Sequence, residues 1–285
     1  MQSSIISWTK VTWNPVFGCS KVSEGCRHCY AATIALRYGH SKKEWVAKNA
    51  AENVVLKPHK LREPYKLKEP SKIFVNSMSD LFHEQIPDDY IRKVFDVMYD
   101  LPQHTFQILT KRPERAAQWD YKWQFNMQLG TSVEDARVKH RIATIQQSKA
   151  LVRFISFEPL IGDMGELDLS GIQWAIVGGE SGQGYREMEH AWARNIRDFC
   201  LRYETAFFFK QSSAFVTERG TALEHEDGTF WQWGQFPFNH VPPVLVQDPN
   251  AINALKWQRN KMAQFPSQTH DAPIAHRQLS LFPIQ

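Results

Sequence analysis

The sequence predicts an α/β fold, a partial or irregular TIM-like (β/α) barrel of about six to seven strands. Short apolar runs rich in β-branched and aromatic residues recur through the first three quarters of the chain, and amphipathic segments separate several of them. Strands that alternate with helices about every 25 to 30 residues are typical of parallel sheets covered by helices. The chain has 285 residues, 42% of them hydrophobic, which is enough for one large core.

Six segments are predicted to be buried parallel strands because they are short, apolar and rich in Val, Ile and Phe. They are residues 72–80, 105–113, 126–134, 151–160, 172–182 and 206–211. Helices are predicted at 87–101, 133–148 and 191–203. In the first of these helices the apolar residues recur on one face, and Asp88 and Asp89 occupy the first turn, where the helix dipole favours negative charge.

The chain changes character after the last predicted strand. Asp227-Gly228 between strand-like flanks predicts a β-hairpin, and Asp248 followed by Pro249 predicts the start of a helix. The polar, proline-containing sequence from residue 264 onward predicts a flexible tail. We therefore expect a barrel with an N-terminal loop at 1–212, a hairpin extension at 213–240, and a helix with a tail at 241–285.

Charge and composition narrow the function classes. The net charge is +4, but residues 37–72 hold ten Lys or Arg against four Glu, a segment that would suit a phosphate backbone. A solvated, proline-broken surface loop explains the same composition. The sequence has no run of about 18 apolar residues, so no membrane span is expected. The N-terminus does not resemble a signal peptide. Four cysteines, three of them clustered, indicate metal or redox chemistry in the cytoplasm and not a disulfide framework.

Three cysteines lie close together at Cys19, Cys26 and Cys29, with C-x6-C-x2-C spacing. A structural zinc site needs four ligands, and His28 lies too close to two of the thiols to serve easily as the fourth. Three thiolates suit a [4Fe–4S] cluster in which one iron is left open for a substrate or cofactor. The glycines before the first and second cysteines would let the loop turn tightly. Cys200, on a predicted helix, is expected to be a core residue.

The sequence around these cysteines resembles a known enzyme class. "NPVFGC…GCRHCYA" is similar to the cluster loop of radical S-adenosylmethionine (radical SAM) enzymes, especially the spore photoproduct lyase type. Those enzymes usually have C-x3-C-x2-C spacing, so the first gap here is three residues longer. The whole pattern, with "VNSMSDLFHE", "LTKRPE", "LGTSVE", "FEPLIG" and "VGGESG", more closely resembles the phage protein gp-thirty-seven/gp-sixty-eight family, a radical SAM-like domain of unknown function.

This resemblance implies a set of roles. Cys19, Cys26 and Cys29 would ligate the cluster, and S-adenosylmethionine would bind at the open iron. The candidate cofactor-binding residues are His28, Asn76, Ser77, Ser132, Gly178, Gly179 and Glu180. Lys111 and Arg112 are candidates for a carboxylate or a substrate phosphate, with Glu158 paired to one of them. Ordinary turn and cap chemistry is the alternative for each residue at a strand end.

The last residues form a second motif. Gln278-Leu279-Ser280-Leu281-Phe282 resembles the peptide by which bacterial replication and repair proteins bind the DNA sliding clamp. Gln278 would form hydrogen bonds, and Leu279, Leu281 and Phe282 would fill an apolar pocket. A tail that folds back onto the barrel is the alternative.

Together these features predict a radical SAM-like enzyme that repairs or modifies a base in DNA, with an external reductant that the sequence does not identify. Two alternatives stay open. One is a non-catalytic iron–sulfur or zinc-stabilised nucleic-acid-binding module, favoured by the longer first gap and by a Gly-Gly-Glu on a late strand. The other is a radical SAM enzyme acting on RNA, a nucleotide or a peptide.

Overall fold

A curled, mostly parallel sheet organises the fold. The computed structural model describes residues 1–264 of the chain. The strands of the large sheet are β1 (Gln2–Ser3), β2 (Val11–Trp13), β5 (Lys72–Val75), β6 (Thr105–Thr110), β7 (Met127–Ser132), β8 (Val152–Phe157), β9 (Trp174–Gly178) and β10 (Ala206–Gln211). They lie in that order across the sheet; β1 pairs antiparallel with β2, and the seven others run parallel. The sheet is a half-barrel, as the sequence predicted.

Helices and smaller sheets surround this half-barrel. The helices are α1 (Tyr30–Arg37), α2 (Ala50–Asn53), α3 (Asp88–Asp100), α4 (Pro113–Ala117), α5 (His140–Gln146), α6 (His190–Arg202) and α7 (Pro249–Gln264). A two-stranded sheet pairs β3 (Val16–Phe17) with β4 (Val55–Leu56). A three-stranded antiparallel sheet joins β11 (Leu223–Glu224), β12 (Phe230–Gln232) and β13 (Val244–Leu245).

The two faces of the half-barrel have different cores. The helix-covered face forms the main core, in which α3, α5 and α6 bury their apolar faces against the strands. The inner face is an aromatic cluster that contains Trp8, Phe74, Phe154, Trp174 and Phe208, with the rings of Trp8 and Phe74 4.8 Å apart. Aromatic side chains of this size fill the curled interior of the half-barrel.

A third, smaller core supports the cysteine loop. Ala31, Ala32 and Ala35 of α1 pack against Trp45 and Met78, and Cys19 and Cys29 lie against this group. Small residues on one face of α1 let it approach closely. The loop therefore rests on its own cluster, separate from the main core.

The predicted elements largely agree with the structure. All six predicted parallel strands form, Cys200 is buried in α6, and the hairpin turns at Gly228 with a φ of 79°. Asp248 accepts a hydrogen bond from the Asn250 amide at 3.0 Å, which caps α7 as expected. The predicted tail and its clamp-binding-like residues, Gln278, Leu279, Leu281 and Phe282, lie outside the described residues.

Three differences have local causes. Strands β1, β2, β3, β4 and β13 were not predicted, because each has only two or three residues. The predicted helix at 133–148 is shorter, because the Asp135 carboxylate accepts the Arg137 amide at 2.9 Å and starts a 3-10 turn before α5. Within residues 1–264 no helix is long and apolar enough to cross a membrane.

Candidate active site

The carboxyl ends of the parallel strands surround two adjoining cavities. The first, of about 130 Å³, is lined by the three clustered cysteines and is called the thiol cavity. The second, of about 190 Å³, is lined by Glu158, Glu180 and Lys210 and is called the carboxylate cavity. The two share the lining residues Gly25, Cys29, Tyr30, Phe74, Leu109, Lys111 and Ser132. They form one cleft at the end of a parallel sheet where active sites of α/β proteins lie.

Two glycines allow the cysteine loop to reach this cleft. Gly18 has a φ of 86°, and a Cβ there would lie 1.8 Å from the backbone oxygen of Asn53. At Gly25 a Cβ would lie 2.2 Å from the Cγ of Glu134. The first glycine is required by both conformation and space, and the second by space alone.

The three thiols converge on the thiol cavity from different local structures. Cys19 follows β3, Cys26 ends the 3-10 turn Glu24–Cys26, and Cys29 immediately precedes α1. The pKa of Cys19 is raised to about 12, because burial and the charge of Asp80 raise it more than Arg112 lowers it. Burial also raises the pKa of Cys29. Because thiolates are the form that ligates metals, these thiols need a positive partner in the cavity to ionise.

Arg112 holds the first cysteine in place. Its guanidinium contacts the Cys19 sulfur at 3.6 Å, Asp80 at 3.2 Å, Glu84 at 2.9 Å and the Ser20 hydroxyl at 2.9 Å. Ser20 also bonds the buried His83 ring at 2.9 Å. With these partners, Arg112 holds the cysteine loop against the strand ends. It is therefore less available to bind a carboxylate or a substrate phosphate than the sequence predicted.

Lys111 lies between the two cavities. Its ammonium is 3.3 Å from Glu134, which also pairs with Arg141 at 3.2 Å and accepts the Ser23 hydroxyl at 2.8 Å. Although burial lowers the pKa of Lys111, the charge of Glu134 holds that pKa above its ordinary value. Lys111 therefore brings a positive charge to the wall that both cavities share.

Glu158 has a different partner from the one expected. Its carboxylate pairs with Lys210 at 3.0 Å and accepts the Ser156 hydroxyl at 3.1 Å, and it does not pair with Lys111 or Arg112. The expected pairing was wrong because of strand order. Glu158 follows β8, two strands from Lys210 on β10, whereas Lys111 at the end of β6 faces Glu134 beyond β7.

Glu180 joins the late strands to the cysteine loop. Its carboxylate accepts two guanidinium bonds from Arg186, at 2.9 and 2.5 Å, and lies 3.1 Å from His28 Nδ1. Arg186 also pairs with Glu24 at 3.2 Å. Burial raises the pKa of Glu180, but the hydrogen bonds from Arg186 and His28 outweigh it and hold the pKa below its usual value. Glu180 and His28 thus reach the cleft as a bonded pair.

The two glycines before Glu180 make room for neighbours. A Cβ on Gly178 would lie 2.6 Å from the Glu158 carboxylate, and one on Gly179 would lie 2.3 Å from the Ser213 amide. Gly179 lines the carboxylate cavity, and Gly178 lies behind Glu158. Both glycines therefore let polar groups approach the strand end closely.

Asn76, Ser77 and Ser132 lie in the wall of the thiol cavity. Asn76 has a φ of 62°, a left-handed conformation that asparagine tolerates, and is buried. Its Oδ1 accepts the Val16 amide at 3.3 Å, but its Nδ2 has no hydrogen-bond partner within residues 1–264. An unpartnered buried donor beside a cavity is a feature of ligand sites. The Ser77 hydroxyl bonds Asn14 at 3.1 Å, whereas Ser132 also lines the carboxylate cavity.

Three thiols line one cavity, and an amide nitrogen without a hydrogen-bond partner among the described residues belongs to a residue of the same wall. Within residues 1–264 no group of three or more His, Cys, Asp or Glu is arranged to hold one metal ion. Cys19, Cys26 and Cys29 are the residues that would hold a [4Fe–4S] cluster, since thiolates are the ligands of such clusters.

Several residues that form hydrogen bonds with lining residues of the cleft had no clear signal in the sequence. Arg186 lies in an irregular loop after β9, and Arg141 is a helix residue whose charge resembles that of any surface arginine. Only the burial of Arg141, at 5% exposure, reveals its role. Asn14 precedes the cysteine motif, and that closeness in sequence was its only available signal.

Comparisons with known proteins give one family. Residues 3–269 match the family described as "Protein of unknown function (DUF5131)". The comparison with curated proteins gives no match. Solved structures that match include a spore photoproduct lyase variant with bound AdoMet and dinucleoside spore photoproduct, at 11% identity and a TM-score of 0.38, covering 89% of this chain and 73% of that one. Another spore photoproduct lyase variant matches at 12% identity and a TM-score of 0.42, covering 93% and 76%.

Proposed function

This chain belongs to the DUF5131 family, and we propose that it is a radical SAM-like [4Fe–4S] enzyme that repairs or modifies a base in DNA. One observation carries the proposal: Cys19, Cys26 and Cys29 line a single cavity at the carboxyl ends of parallel strands. That cavity continues into a second one, and the unpartnered Nδ2 of Asn76 lies in its wall. A metal cluster and a polar small molecule can therefore lie side by side.

The chain's own residues would bind, orient and exclude water. A cluster held by the three cysteines, with S-adenosylmethionine at its open iron, would supply one-electron chemistry. Asn76 Nδ2 can donate a hydrogen bond to a carboxylate or ribose oxygen. The hydroxyl of Ser132, which lines both cavities, can form a second hydrogen bond. The ion pair between Glu158 and Lys210 presents both charges at the carboxylate cavity. Phe74 and Leu109 line both cavities with apolar surface, which limits water there.

A basic groove supports a nucleic-acid substrate. A cavity of about 460 Å³ is lined by Phe17, His40, Lys57, His59 and Lys60, with Gly39 and Val55. The Lys57 and Lys60 ammonium groups lie 5.9 and 5.8 Å from the centre of the Phe17 ring. Cations beside an aromatic ring are the usual means of holding a single-stranded backbone and stacking a base. This groove belongs to the basic segment noted in the sequence.

The enzymatic proposal has a direct test. Protein reconstituted with iron and sulfide without oxygen should hold about four irons and, once reduced, should cleave S-adenosylmethionine to 5′-deoxyadenosine. The Cys19→Ala, Cys26→Ala and Cys29→Ala variants should lose iron, and Cys200→Ala should keep it. An absence of cofactor cleavage, with and without DNA, would refute the radical reaction.

A non-catalytic iron–sulfur or zinc-stabilised nucleic-acid-binding module is the second candidate. Glu180 favours it, because Arg186 and His28 already occupy the carboxylate that would otherwise bind the amino group of the cofactor. The electron paramagnetic resonance spectrum of the reduced cluster separates the two candidates. A spectrum that changes on addition of S-adenosylmethionine supports the enzyme, and an unchanged spectrum supports the module.

A radical SAM reaction on RNA, a nucleotide or a peptide is a third candidate. It shares the cleft with the leading proposal and differs only in substrate. Cofactor cleavage that RNA or a peptide stimulates, and that DNA does not, would favour it.

Recruitment by the bacterial DNA sliding clamp is a separate part of the proposal. It rests on the sequence Gln278-Leu279-Ser280-Leu281-Phe282 alone. Deletion of residues 278–285 should abolish clamp binding in a pull-down, and a chain with those residues in scrambled order should behave like the deletion. Unchanged clamp binding after the deletion would refute this part and leave the enzymatic proposal intact.

A further inference from the structure

A further cavity lies at the opposite end of the half-barrel from the cysteines. It has a volume of about 760 Å³ and is called the lower cavity. Lys72 and Thr105, the first residues of β5 and β6, line it, and Leu151 immediately before β8 does so as well. The inner aromatic cluster separates it from the cleft, since Phe74 and Leu109 line the cleft and Gln107 lines the lower cavity. The lower cavity is therefore a distinct site.

Three residues of its wall each carry an amide oxygen that has no hydrogen-bond partner within residues 1–264. These oxygens are the Oε1 atoms of Gln107 and Gln128 and the Oδ1 atom of Asn126, all buried from solvent. The Gln107 amide nitrogen donates to the Trp8 carbonyl at 3.2 Å, which fixes its oxygen as the free end. Gln107 and Gln128 are direct partners in the register of the parallel strands β6 and β7, so their side chains start from neighbouring positions on the same face of the sheet. Buried acceptors without donors are rare in folded proteins.

Aromatic rings form the remaining walls. Trp123, Phe125, Phe236 and Phe238 all line the cavity, and the rings of Phe125 and Phe238 lie 5.2 Å apart with an interplanar angle of 30°. Phe238 has a φ of 62°, a conformation that a bulky side chain rarely adopts, in a turn closed by two hydrogen bonds between Phe236 and Asn239. Backbone strain that exposes an aromatic ring beside a cavity is common at binding sites.

We propose that the lower cavity binds a nucleobase that carries an exocyclic amino group. An amino group has two hydrogens, and two neighbouring amide oxygens can accept both of them. Flat walls suit a flat ring. The ligand is a neutral base, because the Lys72 ammonium already lies 3.2 Å from the centre of the Phe236 ring and would repel a second cation.

Cytidine and its analogue without the 4-amino group test the proposal by titration calorimetry on the full chain. We expect cytidine to bind about tenfold more tightly than the analogue, because the analogue leaves both amide oxygens unpaired. Gln128→Met should remove this preference, since it keeps the side-chain length and loses the acceptor. Gln232→Met, an exposed strand residue outside the cavity, should leave the preference unchanged.

A second pair of variants tests the aromatic walls. Phe125→Ala should weaken cytidine binding about tenfold, which is the usual loss for one stacked base. Phe215→Ala removes a ring of the same 62% exposure away from the cavity and should not change binding. Phe238→Gly should weaken binding without lowering the melting temperature, since glycine relieves the strain. Equal binding of the two nucleosides, or equal effects of the two phenylalanine-to-alanine variants, would overturn the proposal.

The base can come from a free nucleotide or from a single strand. A ten-residue oligothymidylate with one cytosine, titrated into the unchanged chain and into Phe125→Ala, separates these sources. Tighter cavity-dependent binding of the oligonucleotide assigns the site to nucleic acid, and tighter binding of cytidine assigns it to a free nucleoside. If no cytosine-containing ligand binds in a way that depends on Phe125, the site is not a nucleobase site.

Discussion

Backbone geometry determines which residue type is tolerated at single positions in and near the cysteine loop. Gly18 and Gly39 both have positive φ, at 86° and 69°, but their surroundings differ. Gly18 abuts the backbone of Asn53, whereas no atom lies within 4 Å of a Cβ placed on Gly39. A comparison of the two positions therefore separates the free-energy cost of the left-handed conformation from the cost of a steric clash.

Gly18→Ala should therefore be far more damaging than Gly39→Ala. At both positions alanine adopts a left-handed conformation at a cost of about 1 kcal/mol. At Gly18 the methyl group would also clash with the backbone of Asn53, which pushes the loop next to Cys19 out of place. We therefore expect a further loss of stability and a large loss of reconstituted iron. Urea unfolding and iron analysis of both variants check this. Normal iron content in Gly18→Ala would contradict the proposed role of the loop.

Glu180 gives a pH-dependent prediction. Its pKa is below the ordinary value in the folded chain, so its contribution to stability is complete above the unfolded pKa of about 4.3 and is lost as the pH falls through the folded pKa. Glu180→Gln should lower the free energy of unfolding at pH 7 by about 2 kcal/mol, because it removes the charge that Arg186 binds. The difference from the unchanged chain should shrink below about pH 4.

Urea unfolding at several pH values measures both effects of Glu180→Gln. Glu166→Gln, at an exposed position, is the control and should differ little from the unchanged chain at any pH. A constant difference between pH 7 and pH 3 would mean that the Glu180 charge is not what stabilises the pair.

At the scale of elements, the long strands and helices were predictable because the spacing of their apolar residues matches the face that they bury. The predicted face of α3, for example, includes Tyr90, Ile91, Val94 and Met98, and all four are buried. The two-residue β13 has no such pattern, because side chains in so short a segment cannot show a period. Its pairing with β12 depends on tertiary contact.

In the candidate site, too, the positions of residues were predictable from the sequence and their tertiary contacts were not. Residues at strand ends, such as Asn76, Ser132 and Glu180, lie around one cleft because parallel strands end at the same edge. Their hydrogen-bond partners were not predictable, because the partner of each residue depends on strand order and loop path. The pairing of Glu158 with Lys210 shows this, since the two are 52 positions apart and meet only through the sheet.

The basic groove beside β3 and β4 gives a prediction about nucleic-acid binding. A Lys57→Ala/Lys60→Ala chain should bind single-stranded DNA more weakly. The slope of log affinity against log salt should fall by about 0.7 for each lysine that contacts a phosphate. Fluorescence anisotropy at several salt concentrations measures this slope. A Lys93→Ala/Lys122→Ala chain removes two cations outside the groove and should keep the slope; an equal fall in both chains would refute the groove as the binding surface.

At the scale of the whole molecule, the half-barrel keeps its two ends separate. The inner cluster around Trp8, Phe74 and Trp174 fills the space between the cleft and the lower cavity. Trp8 belongs to this cluster and also lines the carboxylate cavity, so the N-terminal segment contributes to both the inner core and the cleft. Each end can therefore bind its own ligand while the core between them stays packed.

The same separation predicts how the chain behaves without a cluster. The main core contains none of the three loop cysteines, and the loop rests on the small cluster around Trp45 and Met78. We therefore expect the iron-free chain to keep its far-ultraviolet circular dichroism and one cooperative transition, with a melting temperature lower by only a few degrees. Proteases should cut it faster within residues 19–29.

A Cys19→Ala/Cys26→Ala/Cys29→Ala chain should match the iron-free chain in all three measurements, because both lack the link between the loop and the sheet. Cys200→Ala is the opposite control: it creates a small void in α6 beneath the sheet, so it should lose about 1 kcal/mol of stability and keep its iron. An iron-free chain without a cooperative transition would mean that the metal supports the whole fold. That result would favour the metal-stabilised binding module over the enzyme, since a cluster kept for chemistry need not hold the core together.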